Sequence, residues 1–227
     1  MLDNSTVERL RAMKMNAFAS ELERQLEDSG SYSLLGFEER LGLLVDSEWN
    51  RRQSNKLNRY IRNAHFSAAT ATMEGIEYIK DRHLDKAKML RFATCQYIDE
   101  GRLIILKGAS GNGKTFISCA LGNAACRKFK SVRYIRMPEL LDELSIAKAN
   151  GEFAKVIKAY QKVDFLILDE WLIRKLTPNE AFPYLTYTVF TGIELAYPEI
   201  PKFVPPEPFT KLVIVSELVI LTTVKSP

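Results

Sequence analysis

The chain has 227 residues, 46% of them hydrophobic and 26% charged, with a formal net charge of +4. This is enough sequence for one full domain with a small appendage, and the balance excludes wholesale disorder and collagen-like structure. Three cysteines without a CxxC spacing exclude a disulfide scaffold. The N-terminus mixes charge with apolar residues from Asp3 onward and builds no continuous apolar stretch. The longest apolar run, Leu212 to Val224, is too short for a bilayer and contains Glu217. The expectation is a cytoplasmic protein with no membrane partner.

Composition divides the chain into three parts. Residues 1–100 have no proline and nearly balanced charges, the make-up of a helical domain. Residues 101–180 alternate β-rich runs with helical stretches, which reads as α/β. Residues 181–227 hold seven of the nine prolines and form a divergent tail. In the first part, Leu10, Met13, Ala17, Leu22 and Leu26 predict one helix over Ser5 to Glu27, broken at Gly30-Ser31. A second helix is predicted from Phe37 to Ala64, with Leu41, Leu44, Val45, Trp49, Leu57, Tyr60 and Ile61 as its apolar stripe. A third is predicted over Asp85 to Tyr97.

The second helix carries Arg51, Arg52, Lys56, Arg59 and Arg62, and no acidic residue lies between Trp49 and Met73. Arg52, Lys56, Arg59 and Arg62 fall on one helical face. A charged face is often only a solvated one. A basic stripe without interleaved acids is also the electrostatic footprint of a nucleic-acid backbone, so these five are the candidate DNA contacts.

The strongest signal follows. Gly108-Ala109-Ser110-Gly111-Asn112-Gly113-Lys114-Thr115 fits G-x-x-x-x-G-K-[ST] in full. Leu103 to Leu106 before it reads as a buried strand and Phe116 to Arg127 after it as a helix. Glycines let successive backbone N–H groups point at phosphate oxygens, and the helix N-terminus adds its positive end. Lys114 is expected to reach the β- and γ-phosphates of ATP, and the Thr115 hydroxyl to bind Mg2+. A second signal is Phe165-Leu-Ile-Leu-Asp169-Glu170, a strand buried on both faces that ends in two acids. Asp169 is expected to hold Mg2+ through water, and Glu170 to polarise the attacking water. Val132 to Arg136 supplies an intervening strand, and Pro138 to Ala149 its helix. Cys119 and Cys126 read as core residues, and His65 and His83 show no metal spacing.

These residues resemble the IstB-like helper ATPases of bacterial insertion sequences, relatives of the DnaC helicase loaders. The likeness includes Phe37-Glu-Glu-Arg-Leu-Gly-Leu-Leu-Val-Asp46, Glu48-Trp49, Arg51-Arg52 and Arg82-x-Leu84-Asp85-Lys86. It continues through Val132-Arg-Tyr134, Pro138, Leu140-Leu141 and Leu168-Asp-Glu-Trp171, from about residue 7 to residue 180. The resemblance implies a P-loop AAA+ fold, a parallel sheet flanked by helices behind a small helical N-terminal domain. It implies self-association of several copies on DNA and a partner transposase, with helicase loading as a close variant. After Phe182 the sequence departs: Pro183 interrupts, and no arginine follows Arg174. A truncated or frameshifted copy, or a remnant that binds nucleotide without hydrolysing it, stands as an alternative. The resemblance also implies a sensor strand between the P-loop strand and the acidic strand. Lys211 to Ile220 either fills that slot, with Ser216 as a crude sensor, or is an exposed β-prone segment.

Overall fold

A computed structural model describes residues 4–78, 84–102, 104–107, 111–171 and 212–216. The chain divides into two compact units, residues 1–59 and 60–227. The division falls inside a helix, and residues 60–100 belong to the second unit.

The first unit is helical. It contains α1 (Asn4–Ala12), α2 (Asn16–Glu27), α3 (Ser29–Tyr32) and most of α4 (Phe37–Ala64). The single helix expected over 5–27 is two, because Lys14 adopts a left-handed conformation, φ 61°, and reverses the chain. The reversal buries Val7, Leu10 and Ala19 against Met15, Phe18 and Leu22. Met13 and Leu26, expected on the apolar stripe, remain 60% and 39% exposed. The stripe predicted along α4 is likewise only partly a core face. Leu44 is buried, whereas Leu41, Val45 and Trp49 are exposed.

The second unit is a four-stranded parallel sheet with helices packed on it. Its remaining elements are α5 (Lys86–Ala93), α6 (Gln96–Asp99), β1 (Ile104–Lys107), α7 (Lys114–Arg127), β2 (Val132–Arg136), α8 (Met137–Ala149), α9 (Phe153–Gln161), β3 (Phe165–Trp171) and β4 (Leu212–Ser216). The strand order is β1-β4-β3-β2. Asp85 caps α5 by accepting from the N–H groups of Ala87 and Lys88 at 2.8 and 3.1 Å. The helix expected from 85 to 97 is split into α5 and α6 by Cys95 in a left-handed conformation, φ 62°.

Alternation along the strands assigns the two faces. On β3, Leu166 and Leu168 join Ile135, Leu140, Leu141 and Leu144 in the core beneath α8 and α9. Phe165, Ile167 and Asp169 face the other way, toward α7. The register pairs Tyr134 with Ile167 and Arg136 with Asp169. β3 is buried on both faces as expected, with Phe165, Ile167 and Leu168 at 1% exposure or less. Burying one such side chain stabilises by about 1.5–3 kcal/mol, so this strand anchors the unit.

β4 is the strand at issue in the departing tail. Its residues pair in parallel with β1, Ile104 to Val213 through Lys107 to Ser216, and with β3 on the other side. Leu212–Ser216 therefore lies between β1 and β3, the position that the first of the two alternatives gave to this segment. The rest of Lys211 to Ile220 lies outside the described residues.

Candidate functional site

Every strand of a parallel sheet ends at the same edge, and the site is built on that edge. β1 leads into the glycine loop. Gly108, Ala109 and Ser110 lie outside the described residues. Gly111 and Gly113 have φ of 80° and 73°, the left-handed region where glycine avoids a Cβ penalty. Gly113 is the residue from which α7 starts, so Lys114 and Thr115 form its first turn. Asn112 lies just ahead of Gly113, outside the helix. The seven residues that follow on α7 from Ile117 are buried, which fixes the helix on the sheet.

Two further contacts hold α7 in place. The Asn123 side-chain amide donates to the carbonyls of Ala69 and Ala71, at 3.1 and 2.7 Å, and ties down the 65–78 segment. Gly122 leaves room for Phe66 and Ile167. A Cβ there would lie 2.4 Å from the Phe66 ring and 2.9 Å from Ile167. Sequence periodicity carries neither contact, because both depend on a loop with no regular pattern.

The sheet and α7 bring Thr115 and Asp169 together across 54 residues of sequence. The Thr115 hydroxyl donates to Asp169 Oδ2 at 2.7 Å. The Tyr134 hydroxyl donates to the same oxygen, also at 2.7 Å. The backbone N–H of Glu170 donates to Oδ1 at 2.8 Å. Asp169 is only 5% exposed. Its burial is tolerated because donors from three elements satisfy it. Burial first, then the Asp169 hydrogen bond, pushes the Tyr134 phenol well above its ordinary pKa, so it remains a donor at neutral pH. A hydroxyl and a carboxylate converging in this way form a hard-oxygen donor pair. That chemistry fits Mg2+, which takes one or two protein oxygens and completes its shell with phosphate and water. Among the described residues no group of three or more His, Cys, Asp or Glu forms a dedicated metal cage.

Glu170 has a left-handed backbone, φ 55°, at an irregularity in the β3–β4 register between Leu168 and Trp171. Its carboxylate lies 3.8 Å from the Arg136 guanidinium, which also pairs with Glu139. Sequence reasoning assigned no chemistry to Tyr134 or Arg136. The signal was the two-residue period of β2, which puts both on the Asp169 face once the register with β3 is known.

The basic stripe on α4 divides in two. Arg51 and Arg52 both pair with Glu48, at 2.6 and 2.7 Å, so the expectation of a stripe without acidic partners is corrected for these two. Glu48 stands one residue before the acid-free window. It is 5% exposed and also accepts from the N–H groups of Ala17 and Phe18 in the first turn of α2. It thereby caps a helix whose own N-cap residue, Met15, makes no side-chain cap. The Arg51 guanidinium also reaches the Lys14 carbonyl at 2.7 Å. Lys56, Arg59 and Arg62 are exposed further along α4.

Cys119 and Cys126 are free and buried, as expected for core residues, and so is Cys95. No helix among the described residues is long and apolar enough to cross a membrane.

The family model described as IstB-like ATP binding protein matches residues 8–188. The chain is 36% identical over 179 residues to a protein named as the ATP-binding protein of insertion sequence IS1162 from Pseudomonas fluorescens, covering 79% of this chain and 77% of that one. It is 34% identical over 176 residues to an insertion-sequence ATP-binding protein of Sinorhizobium fredii, covering 78% and 71%. Among solved structures, the crystal structure of the DnaI aligns at 18% identity with a TM-score of 0.47, over 71% of this chain and 76% of that one.

Proposed function

The chain belongs to the IstB-like ATP-binding protein family, and from that premise we propose that it is an AAA+-type Mg-ATPase that assembles in several copies on DNA and regulates a cognate transposase. The observation that carries the nucleotide part is the convergence of the Thr115 hydroxyl and the Asp169 carboxylate at the end of a strand–glycine loop–helix unit.

Each residue has a task. The glycine loop and the first turn of α7 offer backbone N–H groups to phosphate oxygens. Lys114 neutralises charge on the β- and γ-phosphates. Thr115 and Asp169 would hold Mg2+, which would supply charge neutralisation to the phosphates. Glu170 orients and polarises the attacking water, accepting its proton. Lys56, Arg59 and Arg62 supply backbone contacts for DNA. Arg51 and Arg52 are shared with Glu48 and set the shape of the helical unit first.

Thermal unfolding of the purified chain with and without Mg-ATP tests the site. Ligand at a hundred times its dissociation constant adds about 2.7 kcal/mol to the native state. The melting temperature rises for the wild type and does not rise for Lys114→Ala. An absence of any rise in the wild type sinks the nucleotide reading. DNA-stimulated turnover then tests the enzyme. Glu170→Gln should abolish turnover and retain bound ATP, and an unchanged rate would overturn the role given to Glu170.

A second reading is a nucleotide-holding remnant without turnover. It is favoured by the pairing of Glu170 with Arg136, which engages the carboxylate assigned to the attacking water. Tight ATP binding with no hydrolysis at any DNA concentration would select it.

A further inference from the structure

Among the described residues Asp169 accepts three hydrogen bonds, and their distribution over its two oxygens is uneven. Oδ2 takes both hydroxyls, from Thr115 on α7 and Tyr134 on β2, each at 2.7 Å. Among the described residues Oδ1 takes only the Glu170 N–H, at 2.8 Å. An ionised carboxylate offers about four acceptor sites, two on each oxygen. Oδ2 is thus filled, and the remaining capacity is on Oδ1.

The Thr115 contact belongs to the phosphate motif. The Tyr134 contact does not. It comes from the neighbouring strand, from a residue that is 6% exposed and whose other hydrogen-bonding neighbour is the Ser67 side chain. The register places Tyr134 beside Ile167, two residues before Asp169 on the same face. A hydroxyl there reaches the carboxylate from the side opposite the glycine loop's own strand, because β2 and β1 are the two edges of the sheet. Two donors on Oδ2 from two different elements fix the rotation of the carboxylate about its own axis.

Building on the nucleotide-site reading above, we propose that Tyr134 is a positioning residue for the metal-side carboxylate, filling Oδ2 of Asp169 so that Oδ1 is the oxygen presented to the water shell of Mg-nucleotide. The Thr115 hydroxyl donates to Oδ2 as well, which leaves its own lone pairs available. Removing the Tyr134 hydroxyl frees an acceptor site on Oδ2 and lets the carboxylate turn. The cost falls on metal-dependent binding. The contacts proposed for the triphosphate come from the glycine loop and from Lys114 on α7, whereas Tyr134 lies on β2.

The experiment uses full-length Tyr134→Phe, which keeps the buried ring, and a fluorescent methylanthraniloyl-ATP as the probe. Affinity is measured in EDTA and then across a Mg2+ titration, with nucleotide-free melting curves of both proteins in parallel. The expected result is unchanged affinity in EDTA and a Mg2+ half-saturation raised about tenfold, the low end of what partners of metal-holding groups contribute. An identical Mg2+ titration overturns the proposal. An equal loss in EDTA and in Mg2+ overturns it as well, because the hydroxyl then acts on nucleotide without regard to metal. A variant that no longer melts cooperatively makes the hydroxyl a strut of the sheet and also overturns it. A wild type that binds no probe under either condition is a different failure, that of the nucleotide reading itself.

Discussion

Glu48 illustrates how one buried charge organises a unit. Its carboxyl, ordinarily near 4.5, is held down at about 2, first by the Arg51 hydrogen bonds, then by Arg52 and the α2 amides, with burial working against them. A carboxylate with a depressed folded-state pKa contributes stability above its unfolded value and loses it as pH falls through the folded value. The window is therefore pH 4.5 down to about 2. Glu48→Gln, followed by acid unfolding on circular dichroism, should show a shallower acid limb across that window. At neutral pH the variant should lose about 2–3 kcal/mol, because two arginines and two amides are deprived of a charged partner together. An acid limb identical to the wild type would show that the Glu48 cluster is not what ties α4 to α2.

At the scale of elements, α4 carries both structure and surface. Arg59→Ala and Arg62→Ala should each flatten the salt dependence of DNA affinity, by about 0.9 in the log–log slope for each phosphate no longer neutralised. Arg51→Ala should instead lower stability, since its guanidinium is bound to Glu48 and Lys14. An Arg51→Ala protein with wild-type stability and a reduced salt slope would reverse that division. On α7, Gly122→Ala forces a methyl into Phe66 and Ile167 and should cost about 1–3 kcal/mol by chemical denaturation, despite the better helix propensity of alanine. Long periodic elements were legible in the sequence: α4, α8, β2 and β3 lie within a residue or two of where their patterns end. What was not legible has local causes. Lys14 and Cys95 break helices by adopting left-handed backbone at non-glycine residues, which no turn chemistry announces. α9 was missed between α8 and β3. The pairing of Thr115 with Asp169 followed from motif spacing, whereas Tyr134 needed the strand register.

At the scale of the molecule, the sheet depends on its latest strand. β4 lies between β1 and β3, so its loss removes hydrogen-bond partners from both. Ile214→Pro deletes an interior ladder donor and should abolish cooperative melting of the α/β unit and, with it, stabilisation by Mg-ATP. Retained stabilisation would mean that β1 and β3 hold the site without β4. The same arrangement dictates an order of events during synthesis. β1, α7, β2 and β3 leave the ribosome in sequence, but the strand that separates β1 from β3 follows some forty residues after β3 ends. The helical hairpin of the first unit closes on local contacts and can form while translation continues. The sheet cannot, because its interior waits on a pairing that spans more than a hundred residues from Ile104 to Val213. Until that segment emerges, the nascent chain presents two unpaired inner strand edges to its surroundings. Chaperone occupancy and aggregation should therefore peak in that interval of translation and fall when residues 212–216 clear the exit tunnel.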